Sequence, residues 1–192
     1  MQYPSYVFTE TLKDGTAVTV RAAGANDGPK IRRAFLNLER DTIYTRFFGY
    51  KADVSDAELG RITGADFERA VALLVTIGAG EDEVVIGGAS YFVSGSVVAA
   101  GRSAELAFTV EEDFQSRGIG SLLMRHIIAI ARVKGLDRLE ADVLSRNRPM
   151  LNVFRRLDAS NFQTVLIERK EDVWPSFKAL LAKERVAEPA TA

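Results

Sequence analysis

Ala104-Glu105-Leu106-Ala107-Phe108-Thr109-Val110, a short loop, and then Gln115-Ser116-Arg117-Gly118-Ile119-Gly120-Ser121 form the stretch that decides the fold. The first seven residues read as a strand. Successive side chains of a strand alternate, so Glu105, Ala107 and Thr109 point one way and Leu106, Phe108 and Val110 the other. The second set is core-like; the first is small and polar behind one carboxylate, as in a ligand-facing cleft or an ordinary amphipathic strand. The two glycines then open a helix. At such a turn, backbone N–H groups converge without Cβ obstruction where the helix carries partial positive charge, which suits a pyrophosphate, and Arg117 adds a full charge. A plain tight turn would carry the same glycines. Position 123 is Leu and no Gly-Lys-Ser/Thr follows, which excludes the Rossmann and Walker fingerprints.

Downstream, the helix runs from Gly118 to Lys134 and stops at Gly135. Arg138–Leu144 reads as a strand, Asn147–Leu157 as a helix and Phe162–Arg169 as a strand. Val173–Leu181 fits either a helix started by Pro175 or a closing edge strand, and the tail from Val186 is expected to fray. Upstream, Thr16–Arg21 is a β-branched run after the turn signal Asp14-Gly15. Asp27-Gly28-Pro29 starts a helix expected to reach Arg40, with Ile31, Phe35 and Leu38 on one face. Ser55-Asp56-Ala57-Glu58 is a capping box for a second helix ending before Gly64. Ala70–Ile77 is the near-continuous apolar run of a strand buried on both faces, and Val84–Val93 supplies the next strand. The order β-α-α-β-β-β-α-β-α-β describes a mixed α/β sheet, antiparallel early and βαβ late.

Composition narrows the function. The chain has 192 residues, a length for one domain. Apolar residues make up 47% and charged residues 27%, the balance of a globular protein with a core. With 25 basic and 26 acidic side chains the net charge is −1, which argues against nucleic acid as a partner. No cysteine is present, which removes disulfides, thiolate metal sites and a cysteine nucleophile, and one histidine, His126, cannot make a two-imidazole zinc site; no metal is expected. His126 falls in the apolar stripe of the long helix and reads as a packed, hydrogen-bonded residue rather than the base of a serine triad. The N-terminus lacks the charged and apolar regions of a signal peptide, and no apolar run approaches the ~20 residues of a membrane span, so the expected setting is the cytoplasm, without a membrane partner.

Gln115 to Gly120 matches the Gln/Arg-x-x-Gly-x-Gly/Ala motif, and the chain resembles the GNAT superfamily of acetyl-CoA-dependent N-acetyltransferases. The Leu-rich helix, the Arg138–Val143 strand and Asn147-Arg148-Pro149-Met150 leading into Phe154-Arg155-Arg156-Leu157 agree with that family's order. Leu12-Lys13-Asp14-Gly15 before Val18–Arg21, and Tyr44-Thr45-Arg46-Phe47-Phe48, look like bacterial protein lysine acetyltransferases of the Pat type. The resemblance implies a central sheet of six to seven strands flanked by about four helices, in one domain spanning residues 1–185 with a tail at 186–192. It implies acetyl-CoA as donor and an amine, possibly on a protein, as acceptor. Backbone groups of Phe108 and Val110 would pair with the pantetheine arm. The amides of Arg117, Gly118, Ile119, Gly120 and Ser121 would hold the pyrophosphate, and Gln115, Ser116, Asn147 and Phe154 would complete the cofactor site.

Glu105 matches the glutamate that serves as general base in Pat-type enzymes. An alkylamine with a pKa of ~10.4 is almost wholly ammonium near neutrality, so something must take its proton before it attacks. Glu111, in the acidic run Glu111-Glu112-Asp113, is the rival base, and solvation is the alternative role of that run. Many family members protonate the departing thiolate with a tyrosine after the asparagine; Phe154 stands in that neighbourhood here. Two other readings stay open, a small-molecule amine acetyltransferase and a catalytically silent acyl-CoA-binding module. Arg46, Phe47 and Phe48 either shape the acceptor cleft or pack a helix end.

Overall fold

The computed structural model describes residues 6–94, 101–156 and 162–169. Seven strands form one sheet in sequential order: β1 (Val7–Thr11), β2 (Ala17–Ala22), β3 (Ala70–Ile77), β4 (Val84–Val93), β5 (Ser103–Val110), β6 (Arg138–Leu144) and β7 (Gln163–Arg169). Neighbours are antiparallel from β1 to β5, and the β5–β6 and β6–β7 pairs are parallel. Five helices flank it: α1 (Gly28–Leu36), α2 (Arg40–Phe47), α3 (Asp56–Thr63), α4 (Ile119–Val133) and α5 (Arg148–Arg155).

The apolar run of β3 is buried on both faces, as its composition requires. Val71, Leu73 and Val75 join the main core under α4, while Ala72 and Leu74 meet Ile31 and Ala34 of α1 and Ile62 of α3 on the other face. Ser55 caps α3: its hydroxyl accepts from the Glu58 N–H, and the Glu58 carboxylate returns a bond to the Ser55 N–H at 2.9 Å. His126 is buried, with Nδ1 2.8 Å from the Tyr6 hydroxyl and Nε2 3.2 Å from Glu10. It is a packed histidine with both ring nitrogens engaged.

Three elements differ from the sequence expectation: α1 is shorter, and α2 and β1 are additional. The first helix stops at Leu36 instead of reaching Arg40, because Glu39 takes an extended backbone (φ −66°, ψ 153°) and starts α2 as its N-cap. A Glu112 carboxylate oxygen receives the Glu39 N–H at 2.9 Å, a partner 73 residues away in sequence. β1 was not anticipated. It is an edge strand with Val7 and Phe8 about half exposed, so it lacks the one-sided burial that makes alternation visible. Val173–Leu181 and the tail from Val186 lie outside the described residues.

A charged network fastens the far edge of this frame. The Arg21 guanidinium donates to both Asp27 oxygens at 2.7 Å and to both Glu83 oxygens at 2.7 and 2.8 Å, and Lys30 reaches Glu83 at 2.5 Å. The Arg21 bonds, outweighing burial, hold the Glu83 carboxyl at about 2 against an ordinary 4.5. A depressed carboxyl contributes stability that is complete above its unfolded value and lost as the pH falls towards its folded one. Glu83→Gln is therefore expected to be less stable at neutral pH and to lose less stability between pH 4.5 and about 2. Urea melts across that interval check this; equal slopes for the two proteins would assign the network no part in acid unfolding.

Candidate active site

The backbone of β5 is bonded on one side only along half its length. The Ser94 N–H donates to the Ser103 carbonyl and the Glu111 N–H to that of Ile86, so the odd-numbered residues of β5 face β4. The even-numbered ones face β6. That strand stays in register with β5 only at Ser103↔Arg138, Ala104↔Leu139 and Glu105↔Glu140, while it pairs with β7 along its whole length. Beyond Glu105 the two strands part, and the backbone of Phe108 and Val110 is directed into the gap. A chain with amide groups of its own can lie there as an added strand.

The gap opens into a cleft of about 560 Å³. Its far end is the turn before α4. Ser116 (φ 62°) and Gly118 (φ 100°) both take the left-handed conformation, and Gly118 is the N-cap. This turn sets the first amides of a 15-residue helix at the cleft wall, where Gly118, Ile119, Gly120 and Ser121 all line it. Gly120 has a second role: a Cβ there would come 3.3 Å from Val153, so its absence lets α5 pack close. The Gln115 side-chain amide donates to the Val110 carbonyl at 3.1 Å and to the Thr42 hydroxyl at 3.2 Å. It thereby ties the strand end to α2, which lies over the cleft.

The structure redistributes charge around this turn. The Arg117 guanidinium is bonded to Asp14 at 3.0 Å and stacked 4.9 Å from the Phe114 ring centroid. The cation that lines the cleft beside Gly118 is Lys13, whose side-chain carbons pack about 3.5 Å from where a Gly118 Cβ would stand. Lys13 was read only as part of the Leu12–Gly15 pattern. Its nearness to the glycine turn depends on a bond from the Lys13 N–H to the Arg117 carbonyl at 3.3 Å, which no local signal announces.

On the other wall, Asn147 caps α5 with its side-chain oxygen, which accepts the Met150 N–H at 3.2 Å. Its carboxamide nitrogen is the group left for another partner. Phe154 is 3% exposed and meets Phe108 edge to face, ring centroids 6.4 Å apart. The pair floors the cleft. Arg146 closes the rim, bonded to Asp41 of α2 at 2.7 Å with its guanidinium 5.0 Å from the Tyr44 ring.

Glu105 lines the cleft where β5 and β6 part, exposed and, among the described residues, without a hydrogen bond or ion pair. Ala107 and Thr109 follow it on the same face, half-buried, while Leu106 and Phe108 are buried in the core under α4. A carboxylate in this position can accept a proton from a group entering the cleft. Glu111 lies past the end of β5. Burial first, then the neighbouring Asp113, pushes its carboxyl up, and one of its oxygens is buried without a partner.

A parted strand pair that leads to a helix N-terminus gives room for a donor with a long amide-bearing arm and a phosphate end. The chain belongs to the acetyltransferase (GNAT) family, whose pattern matches residues 37–159. It is 26% identical over 143 residues to acetyltransferase PA5475 of Pseudomonas aeruginosa, covering 74% of this chain and 75% of that one. It is 48% identical over 56 residues to acetyltransferase Pat of Mycolicibacterium smegmatis, a match covering 29% of this chain and 17% of that protein. Among solved structures, the GNAT domain of S. lividans PAT superposes with a TM-score of 0.73 at 30% identity, covering 81% of this chain and 89% of that domain. A cAMP-binding acyltransferase from Mycobacterium smegmatis superposes with a TM-score of 0.53 at 28% identity, and the match spans 42% of that longer chain. This protein is an acetyl-CoA-dependent acetyltransferase that binds the donor and an amine acceptor. Among the described residues no helix is long and apolar enough to cross a membrane.

Proposed function

We propose that the acceptor amine is the side chain of a protein lysine and that Glu105 is the general base. The observation that carries this reading is the position of Glu105: an unpartnered carboxylate lining the cleft where the donor's arm would end. The likeness to the two Pat proteins supports a protein lysine as acceptor. The pantetheine arm pairs with Phe108 and Val110, the Gly118–Ser121 amides and Lys13 hold the pyrophosphate, and the amide of Asn147 meets the arm.

The chemistry follows from the amine's protonation. Glu105 takes a proton from the ammonium, directly or through one water, and the freed lone pair attacks the acetyl carbonyl carbon. The C–N bond forms, an N–H group of β5 stabilises the oxyanion, and the C–S bond breaks as the nitrogen gives up its second proton to water. The departing thiolate, with a free thiol pKa of ~8.5, leaves unaided and takes its proton from water, so Phe154 can stand where relatives use a tyrosine.

Labelled acetyl-CoA supplied with a cell lysate and, separately, with a panel of polyamines and amino acids tests the acceptor class. Label is expected on protein lysines at rates at least ~10-fold above those with small amines, the discrimination that about 1.4 kcal/mol of transition-state binding provides. Label confined to the small amines would remove the protein-lysine assignment. Tight acetyl-CoA binding without transfer to anything would make the chain a binding module.

A further inference from the structure

Arg46 lies in the last turn of α2 and lines the same cleft as Glu105. The other charged side chains around that end are paired. Asp41 holds Arg146, Asp142 accepts from Arg169 at 2.8 Å, and Glu58 is bonded to Lys51 and to Ser55. Arg46 is partly buried, its guanidinium 4.8 Å from the Phe47 ring, and among the described residues it has no hydrogen bond or ion pair. Burial pulls its pKa below the ordinary value, outweighing the opposing pull of the Glu105 and Glu58 carboxylates. A guanidinium is a fixed fork of five N–H donors, and removing such a group from water without an acceptor is costly.

The reaction sharpens that cost. On the reading that Glu105 takes the ammonium proton, the nearest unpaired negative charge vanishes during turnover. The incoming ammonium also meets a like charge in the cleft. Both difficulties disappear if the substrate brings its own anion, and the fork of an arginine matches a carboxylate through two parallel bonds.

We propose that Arg46 is a specificity-determining residue that binds a carboxylate carried by one of the two substrates close to the reacting centre. The carboxylate has two possible bearers: the acceptor, beside its amine, or the acyl chain of the donor, at its far end. The first makes this an enzyme for amines with a neighbouring acid; the second makes it one for dicarboxylic acyl groups. Either way, the cleft selects on charge as well as shape.

Two matched pairs separate the bearers. β-Alanine and its amide differ by one carboxylate beside the acceptor amine; succinyl-CoA and butyryl-CoA differ by one on the acyl chain. Calorimetric binding of each ligand, the acceptors in the presence of coenzyme A, is measured for wild type, Arg46→Gln and Arg46→Lys. In one pair the wild type is expected to favour the carboxylate-bearing member by at least ~10-fold, the size of a charge-assisted bond. Arg46→Gln loses that preference, and Arg46→Lys retains part of it. A wild type without preference in either pair overturns the proposal, and it does so without needing a variant to fold. Arg46→Gln weakening both members of that pair equally overturns it too. Turnover with acetyl-CoA and its loss in Glu105→Gln are scored separately. The base assignment can therefore fail while the carboxylate preference stands, or the reverse.

Discussion

Glu105→Gln is expected to lower kcat by about 10²–10⁴ at neutral pH, with acetyl-CoA affinity within about 2-fold of wild type. Glutamine keeps the shape of the side chain and loses the negative charge, and with it the ability to take a proton. Glu105 makes no hydrogen bond or ion pair among the described residues, so the substitution removes no contact that holds the fold. In the proposed pose the donor's arm would meet backbone groups further along β5, which the exchange leaves in place. The variant must use the fraction of amine that is already neutral, roughly one part in a few thousand at pH 7 for a pKa of ~10.4. Its rate should therefore climb about tenfold per pH unit up to the acceptor's own pKa, narrowing the gap to wild type. Steady-state kinetics between pH 7 and 9.5 with isothermal titration of acetyl-CoA check both halves. A variant as fast as wild type at pH 7 removes Glu105 from the mechanism and returns attention to Glu111.

What the sequence disclosed follows from how local each signal is. The Ser55–Glu58 box and the apolar run of β3 are decided within a few residues, and both stand as read. The same holds for the turn from Gln115 to Gly120, where only glycine tolerates the φ of 100° at position 118 without strain. The features that were not legible depend on distant partners. Arg117 turns away from the cleft because Asp14, 103 residues earlier, captures it, and that same hairpin delivers Lys13 in its place. The helix expected to reach Arg40 ends at Leu36, and the N–H of Glu39 finds a carboxylate in the connection from β5 to α4. The parting of β5 and β6 after three paired positions has no one-dimensional signature, because each strand reads as regular. Arg46 shows the same limit. Its place in the Tyr44–Phe48 pattern was visible, but its lack of a partner is a property of the assembled cleft.

Phe154→Ala is expected to cost about 3–5 kcal/mol of stability, the range for deleting a buried aromatic ring. The site has little means of relaxing. Phe154 is 3% exposed, belongs to the main core under the sheet, and meets Phe108 edge to face, an arrangement worth ~0.5–1.5 kcal/mol beyond area. For a domain of this size each kcal/mol lowers Tm by roughly 2–4 °C, so a loss of about 6–20 °C should appear in thermal melts. The functional consequence separates two roles for this position. If the ring acts only by supporting Phe108, whose backbone faces the gap, then acetyl-CoA binding weakens while kcat at saturating donor, measured well below the new Tm, stays within about 10-fold of wild type. Phe154→Leu, which refills most of the volume, should then recover much of both the stability and the donor affinity. A kcat loss of 10²-fold or more that Phe154→Leu does not repair would give the aromatic ring a part in positioning the thioester for the chemical step, since a phenyl ring has no proton to donate to the thiolate.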